Sequence, residues 1–456
     1  MKTFFTYDKS LSTVDTPQGR ITLAKVFFPL LVEMLLLNTM GTINTLMLSQ
    51  YSDNAVAAVG SASQLLSMIL AMYTVVSNGA SIVINHNLGA GNKESAGDAA
   101  FTSIFFCGSL SLLLGTFLSL FAKPLLSLMR LEAEVLEYAV SYFSIAIFFS
   151  FFQAISSSIS SIFRSYGMPK VPVCVSLCKN GLLALCDYII IFRPFETPLF
   201  GVKGIAISYV FCECIGMLTM TLLLCKLPLG LGFKKKNLST LKNIGKILRV
   251  GVPTGVSSLS YNLSQVVSTA IIAVLGMASI SAKIYVSNIV FYVYVFGMTL
   301  GISTSLLIGW LAGAGKYEQA YRLNLQNLKI TIFTNMALSG TIYLFAEPLL
   351  SLFTQDPAII AMGKSIMLVD FVVEIGRGFN HVEENCLRGA GDVIYPMFIS
   401  TTSCWVMSIL FSYILGIHFG LGLVGCWIAF AMDEVFRGFF YFLRWHSRKW
   451  TAKTIH

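Results

Sequence analysis

Apolar windows of about 20 residues, enough to cross roughly 30 Å of hydrocarbon as a helix, recur along almost the whole chain. Short polar or glycine-containing breaks divide them into twelve predicted helices. Six fall at 22–48, 55–84, 97–122, 134–163, 172–192 and 201–225. Six more fall at 248–276, 279–309, 324–345, 358–387, 395–416 and 421–444. The stretch between the two sets holds Gly230, Gly232, Lys234, Lys235, Lys236, Lys242 and Lys246 and is the one clear linker.

The pattern repeats. Phe121-Ala-Lys-Pro-Leu-Leu-Ser-Leu128 returns as Phe345-Ala-Glu-Pro-Leu-Leu-Ser-Leu352, 224 residues later, with Glu347 for Lys123. Leu88-Gly-Ala-Gly91 meets Ala312-Gly-Ala-Gly315 at that same distance, Pro29 meets Pro253, Arg164 meets Arg388, and Gly167 meets Gly391. Anchors at one unchanging offset mean an internal duplication. The expected division is a first lobe over 1–225, a basic linker over 226–247 and a second lobe over 248–456.

Composition supports the membrane reading: 55% of residues are hydrophobic and 12% charged, against roughly 25% charged in soluble chains. The fold class is therefore an all-α, multi-pass membrane protein. Six helices per copy bring both copies in the same way up. Such parallel repeats are related by an axis along the membrane normal and build transporters with a cavity between the halves. The sequence holds no HExxH, no nucleophile elbow and no Walker-type loop, so an enzyme is not expected. The polar stretch Met1 to Arg20 is not a cleavable signal peptide.

Charge sets the orientation. With the amino terminus inside the cell, Lys93, Lys170, the linker lysines, Lys316, Arg388, Arg444, Arg448 and Lys449 all collect on that side, while the outer loops keep only Lys123, Arg130, Arg193 and Lys203. Both termini are expected in the cytoplasm of a cell-membrane protein. The net charge of +9 then reflects basic cytoplasmic loops within reach of lipid headgroups, not a nucleic-acid partner. The ten cysteines have no histidine at zinc spacing, so neither metal nor cofactor is expected.

Arg164-Ser-Tyr-Gly-Met-Pro-Lys-Val-Pro172 follows the fourth helix, and Arg388-Gly-Ala-Gly-Asp-Val-Ile-Tyr-Pro396 follows the tenth. With the paired glycine turns, Pro29 and Pro253, and the closing Arg444-Trp-His-Ser-Arg-Lys-Trp450, the chain resembles the multidrug and toxic compound extrusion (MATE) family over nearly its whole length. The resemblance implies a monomer of two six-helix bundles in a V around a central cavity. It also implies alternating access, with small cationic amphipathic drugs exported against inflowing H⁺ or Na⁺. A flippase or exporter of lipid-linked or anionic substrates from the same superfamily is the alternative.

Ionisable groups at membrane depth are costly and usually face a cavity. Those within the predicted helices are Glu33, Lys179, Asp187, Glu213, Lys283, Asp370, Glu374, Arg377, Asp433, Glu434 and Arg437. Asp370, Glu374, Arg377 and His381 are spaced 4, 3 and 4, which puts them on one helix face. That face reads as a protonatable stripe carried by Glu374 and Asp370 and tuned by Arg377, or alternatively as a Glu374–Arg377 pair locking the helix to its neighbours. Lys283 is a salt-bridge partner for those acids or an attractor of anionic substrate.

The resemblance also points to the first half. The family's aspartate in the first helix falls on Asn44, within Ile43-Asn-Thr45, and asparagine cannot exchange a proton. Glu33 lies about three turns earlier, roughly 20° off the same face, as a substitute at a different depth or, alternatively, as a hydrogen-bonded interhelix carboxyl. Asp187 matches the family's carboxylate of the fifth helix, with Asn180 as polar neighbour and Ser208 at the hydroxyl position of the sixth. The helix after Pro253 offers only neutral oxygens, Ser257, Ser258, Ser260, Tyr261 and Asn262, which favours H⁺ over Na⁺ as the coupling ion.

Overall fold

The computed structural model describes residues 10–16, 19–129, 131–192, 201–226 and 239–453. Lys2, Lys9, Arg130, Arg193 and most of the linker lie outside that set. The first half comprises α1 (Leu23–Ser49), α2 (Asp53–Gly89), α3 (Lys93–Leu120), α4 (Ala122–Ser127), α5 (Ala133–Phe148), α6 (Phe151–Ser165), α7 (Lys170–Phe192) and α8 (Gly201–Lys226). The second comprises α9 (Ser239–Val274), α10 (Met277–Gly313), α11 (Tyr317–Leu344), α12 (Ala346–Ser351), α13 (Pro357–Gly389), α14 (Ile394–Ser403) and α15 (Gly422–His446). α14 runs on as π-helical turns through Cys404–Leu410 and Ser412–His418. Taking α5 with α6 and α14 with its π turns, and setting aside the short α4 and α12, twelve long helices stand among the described residues.

The duplication is written into the helix ends. α2 and α10 start at 53 and 277 and stop at 89 and 313; α3 and α11 start at 93 and 317 and stop at 120 and 344. Each pair is 224 residues apart. The turns that follow repeat as well: Gly91 and Gly315 have φ of 76° and 70°, and Gly167 and Gly391 have 82° and 91°, a region open to glycine at little cost.

Where the halves meet, α2 and α10 touch at their carboxyl ends. A Cβ on Gly89 would strike the Trp310 carbonyl oxygen, and one on Gly313 would strike that of His86. His86 and Trp310 are themselves equivalent positions, so the contact is reciprocal. Like ends meeting at one depth means the copies are the same way up, as expected. Small residues at the crossing let backbones approach, the usual means of association where hydrocarbon removes the hydrophobic driving force. His86 Nε2 lies 2.7 Å from the Gly389 carbonyl oxygen, and Trp310 Nε1 donates to Asn85 Oδ1 at 2.9 Å. The halves are therefore closed together at this end, over an apolar core that includes Leu88, Trp310, Tyr441, Trp445 and Trp450.

Three predicted features need amendment. The helix expected over 134–163 is two, α5 and α6, bent by 48°. At the break Ser150 shares a 3.3 Å hydrogen bond with Tyr73, the Phe149 ring stacks on Phe152, and the backbone tightens to i→i+3 bonds at Ser150 and Phe152. The helix over 395–416 shifts into π turns after Ser403. Third, the polar amino-terminal stretch holds an antiparallel hairpin, β1 (Thr13–Thr16) and β2 (Gly19–Thr22), whose facing Val14 and Ile21 are buried. Gln319 Nε2 donates to the Leu11 and Thr13 carbonyls at 3.5 and 3.3 Å. The hairpin thereby docks onto the start of α11, at the same end that carries Arg448 on Glu318 at 2.8 Å.

Candidate functional site

Seven single helices and the bent α5–α6 pair are long and apolar enough to span a membrane; α9, α11, α13 and α15 are absent from that set. Several of their polar residues are buried, among them Ser264, Asn335, Asp370, Glu374, Asp433, Glu434 and Arg437. α9, α10, α13, α15 and the π turns enclose a cavity of ≈150 Å³ lined by Tyr261, Lys283, Tyr294, Asp370, Arg377 and Glu434, among others. Trp427 donates its indole N–H to Asp370 Oδ1 at 3.1 Å. Arg377 Nη1 pairs with Glu374 Oε1 at 2.5 Å, and its Nε reaches Glu434 Oε1 at 3.6 Å. Arg437 Nη2 holds Asp433 at 2.7 Å and Glu434 at 2.9 Å. The two arginines lie over the rings of Tyr294 and Tyr261, 5.9 and 5.8 Å from the centroids. The site is a network of three acids and two arginines, with Asp370 held beside it by Trp427 and an aromatic wall.

Of the stripe predicted on this helix, Asp370 and Arg377 line the cavity, while Glu374 lies behind Arg377 against α11, where Asn335 Nδ2 donates to Glu374 Oε2 at 3.4 Å. Network and stripe coexist: Arg377, paired with Glu374 behind it, is part of the cavity wall. Lys283 is the correction. Its Nζ donates to Thr269 Oγ1 at 2.5 Å, and no acid pairs with it among the described residues. It sits in the same cavity, but the acids there are already held by Arg377, Arg437 and Trp427.

The first half builds a smaller counterpart between α7 and α8. Asp187 is buried and accepts from Ser208 Oγ at 2.5 Å, which joins two residues the sequence placed on separate helices. Asn180 lies apart from that bond, donating to Ser176 Oγ at 3.3 Å. Lys179 Nζ pairs with Glu213 Oε1 at 2.6 Å. Gly201 and Gly422 open the last helix of each half with φ of 62° and 59°. In that register Glu213 corresponds to Glu434, so each half buries one glutamate on its last helix beside a cation.

The halves differ where chemistry concentrates. Asp370, Glu374 and Arg377 correspond to Ala146, Ser150 and Gln153, and Gln153 Oε1 accepts from Tyr209 rather than joining an ion pair. Glu33 meets neither Asp187 nor Asn44; it pairs with Arg164 at 3.7 Å, an interhelix tie. Asn44 sits on α1, with its Oδ1 buried and without a hydrogen-bond partner.

Sequence reading passed over the polar face of α11, where Asn324, Asn327, Thr331 and Asn335 are all fully buried. Their 3, 4, 4 spacing was the available signal, masked by taking 324–345 as plain apolar span. Glu383, also fully buried, was passed over beside the basic Arg388 turn.

Two like-oriented six-helix halves, joined at one end and holding buried ion networks away from it, define a membrane transporter. The MatE family model matches residues 29–189 and again 253–414, once per half, and the chain belongs to that family. It is 34% identical over 446 residues to the uncharacterized transporter YisQ of Bacillus subtilis, covering 98% of each chain. It is 26% identical over 447 residues to the probable multidrug resistance protein NorM of Thermotoga maritima, covering 97% of this chain and 95% of that one. Its fold matches an outward-facing multidrug resistance MATE family transporter of the MOP superfamily, with a TM-score of 0.84 at 21% identity over 97% of this chain and 98% of the other. A MOP superfamily transporter from Pyrococcus furiosus, described as having a binding pocket of reverse polarity, gives 0.83 at 21% identity over 95% and 96% of the two chains.

Proposed function

We propose that the protein exports small amphipathic organic cations across the cell membrane in exchange for inflowing H⁺, with both termini and the linker in the cytoplasm. The observation that carries this reading is Arg377 shared between the buried acids Glu374 and Glu434 in a cavity walled by Tyr261, Tyr294 and Trp427. Protonating one acid releases Arg377 to the other. A cationic drug, held by aromatic faces, competes for the same carboxylates. A ligand shifts two conformations only by its differential affinity for them, so proton and drug favour opposite states of the lobes 1–225 and 248–456.

Hydrogen ions are preferred because the carboxylates at the second-half cavity are already engaged by Arg377, Arg437 and Trp427, while Asn44 and the hydroxyls after Pro253 are neutral. The end closed by Gly89 and Gly313 carries Lys93, Lys316, Arg388 and Arg448, which supports a cytoplasmic placement and an outward-open resting state. Lys283, without an acid partner, favours a second reading in which the cavity takes a substrate with an anionic group.

Ethidium efflux from proteoliposomes separates these readings. A pH gradient alone should drive it, and Glu374→Gln should lower the rate by an order of magnitude or more, with Asp187→Asn a smaller loss. Efflux driven by a sodium gradient and indifferent to pH would overturn the choice of ion. Transport that collapses in Lys283→Met but survives Glu374→Gln would favour the anionic reading.

A further inference from the structure

α13 carries another buried acid that the cavity does not use. Glu383 lies nine residues beyond Glu374 and is fully buried, which places it about 13 Å nearer the closed end. Its hydrogen-bond partner is Asn324 on α11, whose Nδ2 donates to Glu383 Oε2 at 3.3 Å. No basic side chain of α10, α11, α14 or α15 pairs with it among the described residues, and its titratable neighbour is Cys386 on its own helix. Glu383 Oε1 and Asn324 Oδ1, the other oxygens of this touching pair, are both buried acceptors without a donor.

An ionised carboxylate here would be an unpaired buried charge, among the costliest arrangements a protein interior can hold. Turning the amide of Asn324 over would only set another oxygen against it. One proton resolves the whole pair. An O–H at Oε1 supplies the donor that the two unpartnered oxygens of the pair lack, while Asn324 N–H donates to Oε2.

The pair also shares its helix face with further buried polar side chains. Asn327, Thr331 and Asn335 continue up the same face of α11, all fully buried. Asn327 Nδ2 donates to Thr304 Oγ1 at 2.9 Å, and Asn335 reaches Glu374 itself. The Oδ1 atoms of Asn327 and Asn335 are again buried acceptors without donors, so polar atoms with unused bonding capacity line this face of α11 from Asn324 to Asn335.

We propose that Glu383 is a second proton-binding site, kept as the neutral acid by Asn324 and exchanging its proton with Glu374 along the polar face of α11. The exchange with Glu374 rests on the coupling role given to Glu374 above; the protonated state does not. Infrared spectroscopy of the protein in lipid nanodiscs tests that state directly. At neutral pH the wild type should show a protonated-carboxyl C=O band that Glu383→Gln removes, and Asn324→Leu should shift its frequency. If Glu383→Gln folds poorly, the exchanged pair Asn324→Asp with Glu383→Gln keeps one acid facing one amide and should show the band at a new position. No band lost at neutral pH, or none in the exchanged pair, overturns the site. Glu383→Gln should also slow pH-driven efflux severalfold with ethidium affinity unchanged, and an unchanged rate overturns the exchange. Failure of the coupling reading would look different: pH-indifferent efflux with the Glu383 band intact.

Discussion

Gly313 of α10 packs against the carbonyl oxygen of His86 on α2 with no room for a side-chain carbon between them, and Gly89 meets Trp310 in the same way. The contact is the place where the duplicated halves are pinned together. Forcing extra atoms into a packed site typically costs about 1–3 kcal/mol, and here only separating the halves relieves it. Gly313→Ala should therefore shift the population toward a state open at this end. Spin labels on the exposed positions Lys93 and Lys316, just beyond the two helix ends, should move apart. An unaltered distance distribution would show that this contact does not hold the end shut.

Arg377 is held by Glu374 at 2.5 Å and Glu434 at 3.6 Å. Removing one partner of a buried pair leaves an uncompensated charge and costs about 3–5 kcal/mol. Arg377→Met should lower the thermal unfolding midpoint strongly, and adding Glu374→Gln should recover most of the loss. Additive losses in this double-mutant cycle would mean that the two side chains are not energetically coupled.

Glu318 lies in the first turn of α11, outside the apolar span, between Arg322 at 2.9 Å and Arg448 at 2.8 Å. The hydrogen bond from Arg322, then that from Arg448, holds its carboxyl below the ordinary glutamate range. A depressed native pKa contributes stability that is present above the unfolded value and lost as pH falls through the folded one. Acidification should loosen the carboxyl-terminal turn from α11. Hydrogen exchange of residues 446–453 should speed up as pH drops, and Glu318→Gln should remove that dependence. Exchange rates with the same acid response in both proteins would contradict the assignment.

How far the sequence reached differs from residue to residue. Asp187 and Ser208 were singled out on separate helices, and they do form one bond. Asp370, Glu374 and Arg377 were recognised as a face because helical spacing is local. What spacing could not give is the partner on another helix. Lys283 stood either as a partner of the acids or as an attractor of anionic substrate; it bonds Thr269, while the acids are engaged by Arg377, Arg437 and Trp427. Glu33 stood either as a substitute for the missing acid at Asn44 or as an interhelix carboxyl, and the partner that tells what it touches, Arg164, is 131 residues away. The α5–α6 bend and the hairpin at 13–22 were missed for a related reason: both depend on contacts far along the chain, Tyr73 with Ser150 and Gln319 with the hairpin carbonyls.

By itself the sequence determined the membrane class, the twelve-helix plan and the duplication, because hydrocarbon thickness fixes span length and a repeat preserves its offset whatever the fold does. The tertiary structure alone decided which acids are paired and by which cations, that the second half holds the denser network, and that the halves are closed at the end where Gly89 and Gly313 meet. Those are matters of helix rotation and approach. They are set by packing between helices that lie from tens to more than two hundred residues apart, and the order of residues along the chain does not record them.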